Sequence, residues 1–348
     1  MIRALLVLLY LGTAQAEDLL HLYNWNNYIS DQTIARFEAV CRCHVVQDYY
    51  ADNEEMLAKL AAGATGYDLI VPTGNALEAM IGQHVLRPLD KRLLPGLKNI
   101  APAYLNTAFD PGNTYSVPYA YTITLIGYNK EKLRELGLPV NSWAILFEPA
   151  LLARLKGRVT VLDSQRELMA AALKYLGYPA NDVDAAHWRQ ATDLIIRAKP
   201  YWAAFNSSSY IKALTLGDIW LVHGYSSDIF QANQDALSNG RPFSIGSSIP
   251  REGAVLALDS LVLHRSGARS DLAHRFIEFM LAGENSAELT NLIGSGNPNL
   301  AARPYIRPEV ASDQAIFPAS TDKLEMLHDL NRHQRRLLSR LWIEIKLR

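Results

Sequence analysis

Cysteine is nearly absent from this chain: Cys41 and Cys43 are the only two among 348 residues, separated by Arg42. No framework of disulfides can therefore hold the fold. Two thiols also fall short of the four ligands of a structural zinc site. On a strand, residues two apart share a face but lie too far apart for an unstrained bridge. The expectation is two small, partly buried thiols, with a strained local disulfide as the alternative. A charge of one sign is missing too. The formal net charge is −1, so no overall field favours nucleic acid or an anionic membrane. Beyond the first residues there is no run of eighteen apolar positions, and hence no transmembrane helix is expected. HExxH and the P-loop do not occur. Gly224-Tyr225-Ser226-Ser227-Asp228 opens like a nucleophile elbow but lacks the closing glycine. The nine histidines show no helical pair at metal-ligand spacing, so no metal or cofactor is expected. Nothing in the sequence argues for an enzyme.

What is present begins with the amino terminus. Arg3, the apolar run Ala4 to Leu11 and the small-x-small Ala14-Gln15-Ala16 form a secretory signal, with cleavage expected after Ala16. The run is too short to span a bilayer, and no cysteine follows it to carry a lipid. Soluble export, most simply to a bacterial periplasm, is the expectation. The hydrophobic content of 49% argues against disorder.

Downstream, hydrophobic periodicity alternates between strand and helix. Leu19 to Tyr23, Cys43 to Tyr50 and Tyr67 to Val71 read as strands. Helices are expected from Asp31 to Val40, from Glu54 to Ala62, and after Asn75. A second series runs from Gly157 to Asp163 (strand), Ser164 to Leu176 and Asp184 to Ala198 (helices), Asp218 to His223 (strand) and Ser226 to Ala236 (helix). This pattern predicts βαβ units and a mainly parallel sheet. Two long extended stretches, Tyr115 to Asn129 outward and Phe243 to Pro250 into Ala254–His264 back, predict crossings between two lobes. The expected class is α/β, a bilobal type II-like binding fold. After a signal at 1–16, lobe 1 is 17–122 plus 250–296, and lobe 2 is 123–249 plus 297–348. The basic tail from Arg332 to Arg348 reads as an amphipathic helix packed on a lobe.

Ligands of open parallel sheets sit at the carboxyl ends of the strands, and polar or aromatic residues collect there. Trp25, Asn26, Asn27 and Tyr28 follow the first strand, and Thr73 follows the third. Glu167 lies in a first helical turn, and Tyr225 and Asp228 follow the strand through His223. Asp259 interrupts the apolar run VLALDSLVL. A lone acid in such a run is costly unless it is paired or faces a polar cleft.

These residues, with YNWNNY at 23–28, YDLIVPT at 67–73, YSVPY at 115–119, LIGYN at 125–129, AAFNSSS at 203–209, IPREGA at 249–254 and NPNLAARP at 297–304, resemble the periplasmic spermidine/putrescine-binding proteins of ABC importers. The resemblance spans nearly the whole chain after the signal. It implies a cleft that closes by hinge bending, clamps a methylene chain between rings and meets its ammonium ends with carboxylates. By that likeness Trp25, Tyr28 and Tyr225 are the rings, and Asn26, Asn27 and Thr73 the neutral polar contacts. Glu167 with Asp228 takes one ammonium and Asp259 the other, while Ser295 stands where the family has a tyrosine. Other departures are Ala257 in place of an aromatic, Asn27 in place of an acid and Ser164 in place of a second acid. They imply a roomier cleft and keep open another amine, amino-acid-like, opine-like or guanidino. The implied partners are a small cationic amine and an inner-membrane permease complex, with the protein a monomer. An exported hydrolase using Glu167 and Asp228 as an acid–base pair is the reading of a different class.

Overall fold

A computed structural model describes residues 18–26, 28–50 and 52–348; the expected signal segment, like Asn27, lies outside them. Eleven strands are present among these: β1 (Leu19–Trp25), β2 (His44–Tyr50), β3 (Leu69–Ile70), β4 (Leu86–Arg87), β5 (Ser116–Asn129), β6 (Val159–Val161), β7 (Ala204–Phe205), β8 (Leu221–Tyr225), β9 (Ile245–Ser248), β10 (Ala254–His264) and β11 (Leu324–Glu325). Their order is β2-β1-β3-β10-β5-β8-β6-β7, with β4 and β11 also on β10 and β9 also on β5.

The expected parallel pairing holds within each series: β1 runs parallel to β2 and β3, and β6 parallel to β7 and β8. The joints differ. β5 and β10 are antiparallel to each other and to β3, β4, β8 and β9, while β11 runs parallel to β10. The reason is directional, because one long strand leaves the first series and the other returns to it. β5 pairs with β10 as far as Ile123 and with β8 from Thr124. The chain thus changes partner sheets within one peptide step, as a connecting strand between two lobes must.

Local signals explain most of the elements. The helix Asp31–Cys41 is capped by Ser30, whose side chain accepts the Thr33 N–H, rather than by Asp31. Thr73 takes the N-cap position of Gly74–Gly82, two residues before the expected Asn75. The tail forms the helix Arg332–Leu347 with an Asn331/Gln334 capping box and Leu338, Leu341 and Ile345 buried. Trp342 meets Phe205 edge-on at 5.4 Å. No helix among the described residues is long and apolar enough to cross a membrane.

One expectation is corrected. Cys41 and Cys43 form a disulfide. The spacing argument assumed strand geometry, but β2 begins only at His44. Arg42 lies in the left-handed region (φ 55°, ψ 46°), and this turn brings the two Cα atoms to 5.2 Å, within bridging range. So small a ring removes little chain entropy. Replacing both cysteines with serine is expected to cost at most about 1.5 kcal/mol, a few degrees of melting temperature by calorimetry. A loss above ten degrees would mean that the bridge organises more than its own turn.

Residues 297–305, expected with lobe 2, make their polar contacts as follows. Asn297 bonds the Ser286 carbonyl and Thr290 hydroxyl, and Asn299 the Leu281 carbonyl. Ala101 N–H donates to the Pro298 carbonyl. These amides satisfy the helix Gly283–Ile293 and its neighbours on the first side. The same stretch and the chain beyond it also pack Ala302, Ile306, Val310 and Ile316 against Phe230 of the second side, and Leu324–Glu325 pairs beside Ala254 and Val255.

Candidate ligand-binding site

Three buried or half-buried carboxylates mark the place where the two series face each other. Asp259 sits in the middle of β10, where the register with β5 slips between Asp259 and Ser260. Asp259 still pairs with Ala120 on β5 and forms a bridge with Thr73 on its other side, and its side chain meets loops from the first series. Thr73, just past β3, donates its hydroxyl to Asp259 Oδ1 at 2.6 Å, and the Tyr28 hydroxyl donates to Oδ2 at 2.6 Å. With 5% of its surface exposed, Asp259 is held above the usual carboxylate range, at about 6, by burial; the two hydroxyls only partly offset this.

Glu167 belongs to the first turn of Gln165–Tyr175, after β6. The Thr124 hydroxyl, from the residue where β5 changes sheets, donates to Glu167 Oε2 at 2.8 Å. Burial pushes this carboxyl up to about 7, against smaller opposing effects of Thr124 and Arg166. Asp228 lies in the first turn of Ser226–Ser238, after β8. It accepts from the Tyr210 hydroxyl, and desolvation raises it as well. Both acids sit at helix N-termini, whose dipoles favour the charged form.

Tyr225, the last residue of β8, joins these groups. Its hydroxyl is raised well above the ordinary phenol value, first by burial and then by the charges of Glu167, Asp228, Glu54 and Asp259. One phenol therefore lies within electrostatic reach of carboxylates from both sides. On the first side Trp25 and Tyr28 have ring centroids 6.5 Å apart, and Trp25 and Tyr50 4.5 Å. The Trp25 indole N–H is fixed by the Val71 carbonyl at 2.9 Å. Tyr119 stands edge-on to Tyr28 at 6.0 Å, with its hydroxyl on the Tyr28 carbonyl.

The residues expected from sequence separate into groups. Tyr28, Thr73 and Asp259 form one hydrogen-bonded unit, with Trp25 beside it. Glu167, Tyr225 and Asp228 form a second. Asn26 is exposed at the turn after β1, and Asn27 falls outside the described residues. Ser295 is fully buried and its hydroxyl has no partner among the described residues; the next residue, Gly296, is bridged to Tyr121. A cavity of about 20 Å³ lies between the series, lined by Thr73, Glu167, Ala257 and Met326 among others. A larger one, about 440 Å³, lies elsewhere, beside His84, Arg87, Tyr115 and Arg265, and reaches none of these acids.

Four contributors were missed: Tyr50, Tyr119, Thr124 and Tyr210. Tyr119 and Thr124 lie in the Tyr115–Asn129 crossover, where a continuous apolar run hides which residues face the cleft. Tyr210 depends on Gly224. A Cβ there would meet the Tyr210 ring at 2.7 Å, so glycine admits the ring, and its hydroxyl reaches Asp228 and the Tyr225 N–H.

The geometry is that of a binding cleft. Every hydrogen bond recorded to the carboxylates of Asp259, Glu167 and Asp228 comes from a neutral hydroxyl. No ion pair involves them among the described residues. A sequence profile described as bacterial extracellular solute-binding protein matches residues 32–319, and the chain belongs to that family. A putrescine/cadaverine-binding protein of Pseudomonas aeruginosa is 56% identical over 348 residues, covering 99% of this chain and 98% of the relative. A putrescine-binding periplasmic protein of Escherichia coli is 35% identical over 345 residues, covering 96% of this chain and 93% of the relative. Among solved structures, the spermidine/putrescine substrate-binding protein of Streptococcus pneumoniae superposes with a TM-score of 0.84 at 26% identity, covering 95% of this chain and 99% of that one.

Proposed function

We propose that this chain captures a short aliphatic diamine of the putrescine and cadaverine kind outside the cytoplasm and delivers it to an ABC importer. The observation that carries the reading is the set of buried carboxylates held by neutral donors. Hydroxyls position Asp259, Glu167 and Asp228 without neutralising them, so the compensating charge has to arrive with a ligand. Two acids on one side and one on the other suit a molecule with an ammonium at each end. Trp25, Tyr28 and Tyr225 supply faces for the methylenes and attract the cations by about 0.5–2 kcal/mol each. The names of the relatives point to the same ligand class.

Lobe closure over the ligand is the two-state element a permease would recognise. The hinge lies in β5 near Ile123–Thr124 and in the start of β10. The mature protein begins at Glu17 after cleavage behind Ala16, resides in the periplasm and acts as a monomer without a catalytic step.

Thermal unfolding of the chain from Glu17 with putrescine, cadaverine, spermidine, spermine, agmatine and an ω-amino acid tests this reading. A ligand at a hundred times its dissociation constant adds about 2.7 kcal/mol, a rise of several degrees. Rises with putrescine and cadaverine are expected. A rise with the ω-amino acid alone would replace the diamine by a zwitterion, and no rise with any amine would reject the amine class.

A further inference from the structure

The tail segment from Leu324 to Arg335 is bound to the second side by a run of polar contacts. Lys174 Nζ meets Glu325 Oε1 at 2.5 Å. Asn181 Nδ2 donates to the Met326 carbonyl at 2.8 Å, and its Oδ1 accepts the His328 N–H at 2.9 Å. Arg166 Nη2 donates to the His328 carbonyl at 2.9 Å. Within the segment itself, Asp329 accepts from Arg335 Nη1 at 2.5 Å.

One contact comes from the opposite side. Glu78, on the helix Gly74–Gly82, accepts the Asp329 N–H through Oε2 at 2.8 Å. The same oxygen lies 3.5 Å from His328 Nδ1. The position of this contact links it to the cleft. Glu78 is on the helix capped by Thr73, which donates to Asp259. Arg166 adjoins Glu167. Arg166 is largely desolvated, and the charges of Glu167, Asp329, Glu54 and Glu78 act on it to keep it protonated. Acids of the first side thus act on the arginine next to Glu167, at a junction where the Glu78 and His328 side chains stay partly exposed.

We propose that Glu78 is a positioning residue for ligand retention, closing a clasp between the two lobes on His328 and the Asp329 N–H without touching the ligand. The clasp rests on the diamine reading for its probe and on the fold alone for its action. It exists only when the lobes meet, so it holds the closed state and must break before the ligand leaves. An interaction formed after encounter acts on the dissociation rate.

The test is stopped-flow binding of putrescine to the mature protein and its Glu78→Ala and Glu78→Gln variants. Glu78→Ala is expected to speed dissociation about tenfold at an unchanged association rate. Glu78→Gln keeps an acceptor for the Asp329 N–H but loses the charge, and should fall between. A merely structural role would lower the melting temperature of the ligand-free protein and leave the dissociation rate alone. Wild-type dissociation rates in both variants overturn the proposal, and if Glu78→Ala does not fold, Glu78→Gln decides alone. Should the wild type bind no putrescine, the diamine reading fails separately. The clasp is then decided by the same dissociation rates with whichever amine raises the melting temperature: faster release from Glu78→Gln supports it, and wild-type rates overturn it.

Discussion

Replacing Asp259 with asparagine is expected to weaken putrescine binding by about two to three and a half orders of magnitude while leaving the fold intact. The loss follows from removing one partner of a charge pair inside a closed cleft. The ammonium left behind is desolvated but uncompensated, which costs about 3–5 kcal/mol. The amide also suits its neighbours less well, because Thr73 and Tyr28 both donate to the carboxylate and an asparagine offers one acceptor oxygen and one NH₂. The folded state responds in the opposite direction. A carboxyl raised to about 6 by burial opposes folding at any pH above its unfolded value, and the opposition is complete above pH 6. The ligand-free variant should therefore melt no lower than the wild type at pH 8. Calorimetry with and without putrescine separates the two effects; equal affinity would remove Asp259 from the site, and a collapsed melting temperature would make it structural.

Lowering the pH should have an effect of similar size. In the free protein Asp259 titrates near 6 and Glu167 near 7, and a diammonium ligand binds their charged forms. Affinity is complete above pH 7 and is lost as pH falls through those values. At pH 5, protonation of Asp259 weakens binding about tenfold and that of Glu167 about a hundredfold, if both must ionise. Binding near pH 6.5 should accordingly release protons, visible as a dependence of the heat on buffer. For the ligand-free fold the sign is reversed. Carboxyls raised in the native state bind protons more tightly than in the unfolded chain, so stability rises as pH falls from about 7 toward 4. An affinity that is flat between pH 8 and pH 5 would contradict the assignment of both acids.

The architecture was largely legible because its signals are local. The two crossings announce themselves as long, mostly apolar extended runs, and β10 occupies the expected Ala254–His264 range. Each ligand candidate at a strand end followed from chain direction, since parallel strands in a βαβ series deliver their carboxyl ends to one edge. Strand ends were less legible. β1 continues through Trp25 because it pairs with β2 to that residue, which the asparagine at 24 disguises; its side chain is buried and accepts the Trp25 N–H.

The hydroxyl partners were illegible for a different reason. Tyr28 and Asp259 lie 231 positions apart, and Thr124 and Glu167 43 apart. No periodicity relates residues at such separations, and only the closed fold brings them together. The resemblance named Asp259 with Tyr28 and Thr73 but not Thr124 or Tyr210, the donors to Glu167 and Asp228. Ser295, expected at the cleft by alignment with a tyrosine, is buried beside the bridge of Gly296 to Tyr121. The disulfide escaped because a single left-handed residue, Arg42, changes the geometry that the spacing alone implied.

The most direct test of a site built for two ammonium ends is titration calorimetry at pH 8 with putrescine and with 4-aminobutyrate, which share a four-carbon spacing. The account predicts that putrescine binds and that 4-aminobutyrate binds at least a hundredfold more weakly, because its carboxylate would face Asp259 or the Glu167–Asp228 pair without a counter-charge. Equal binding of the two, or a preference for 4-aminobutyrate, would contradict it.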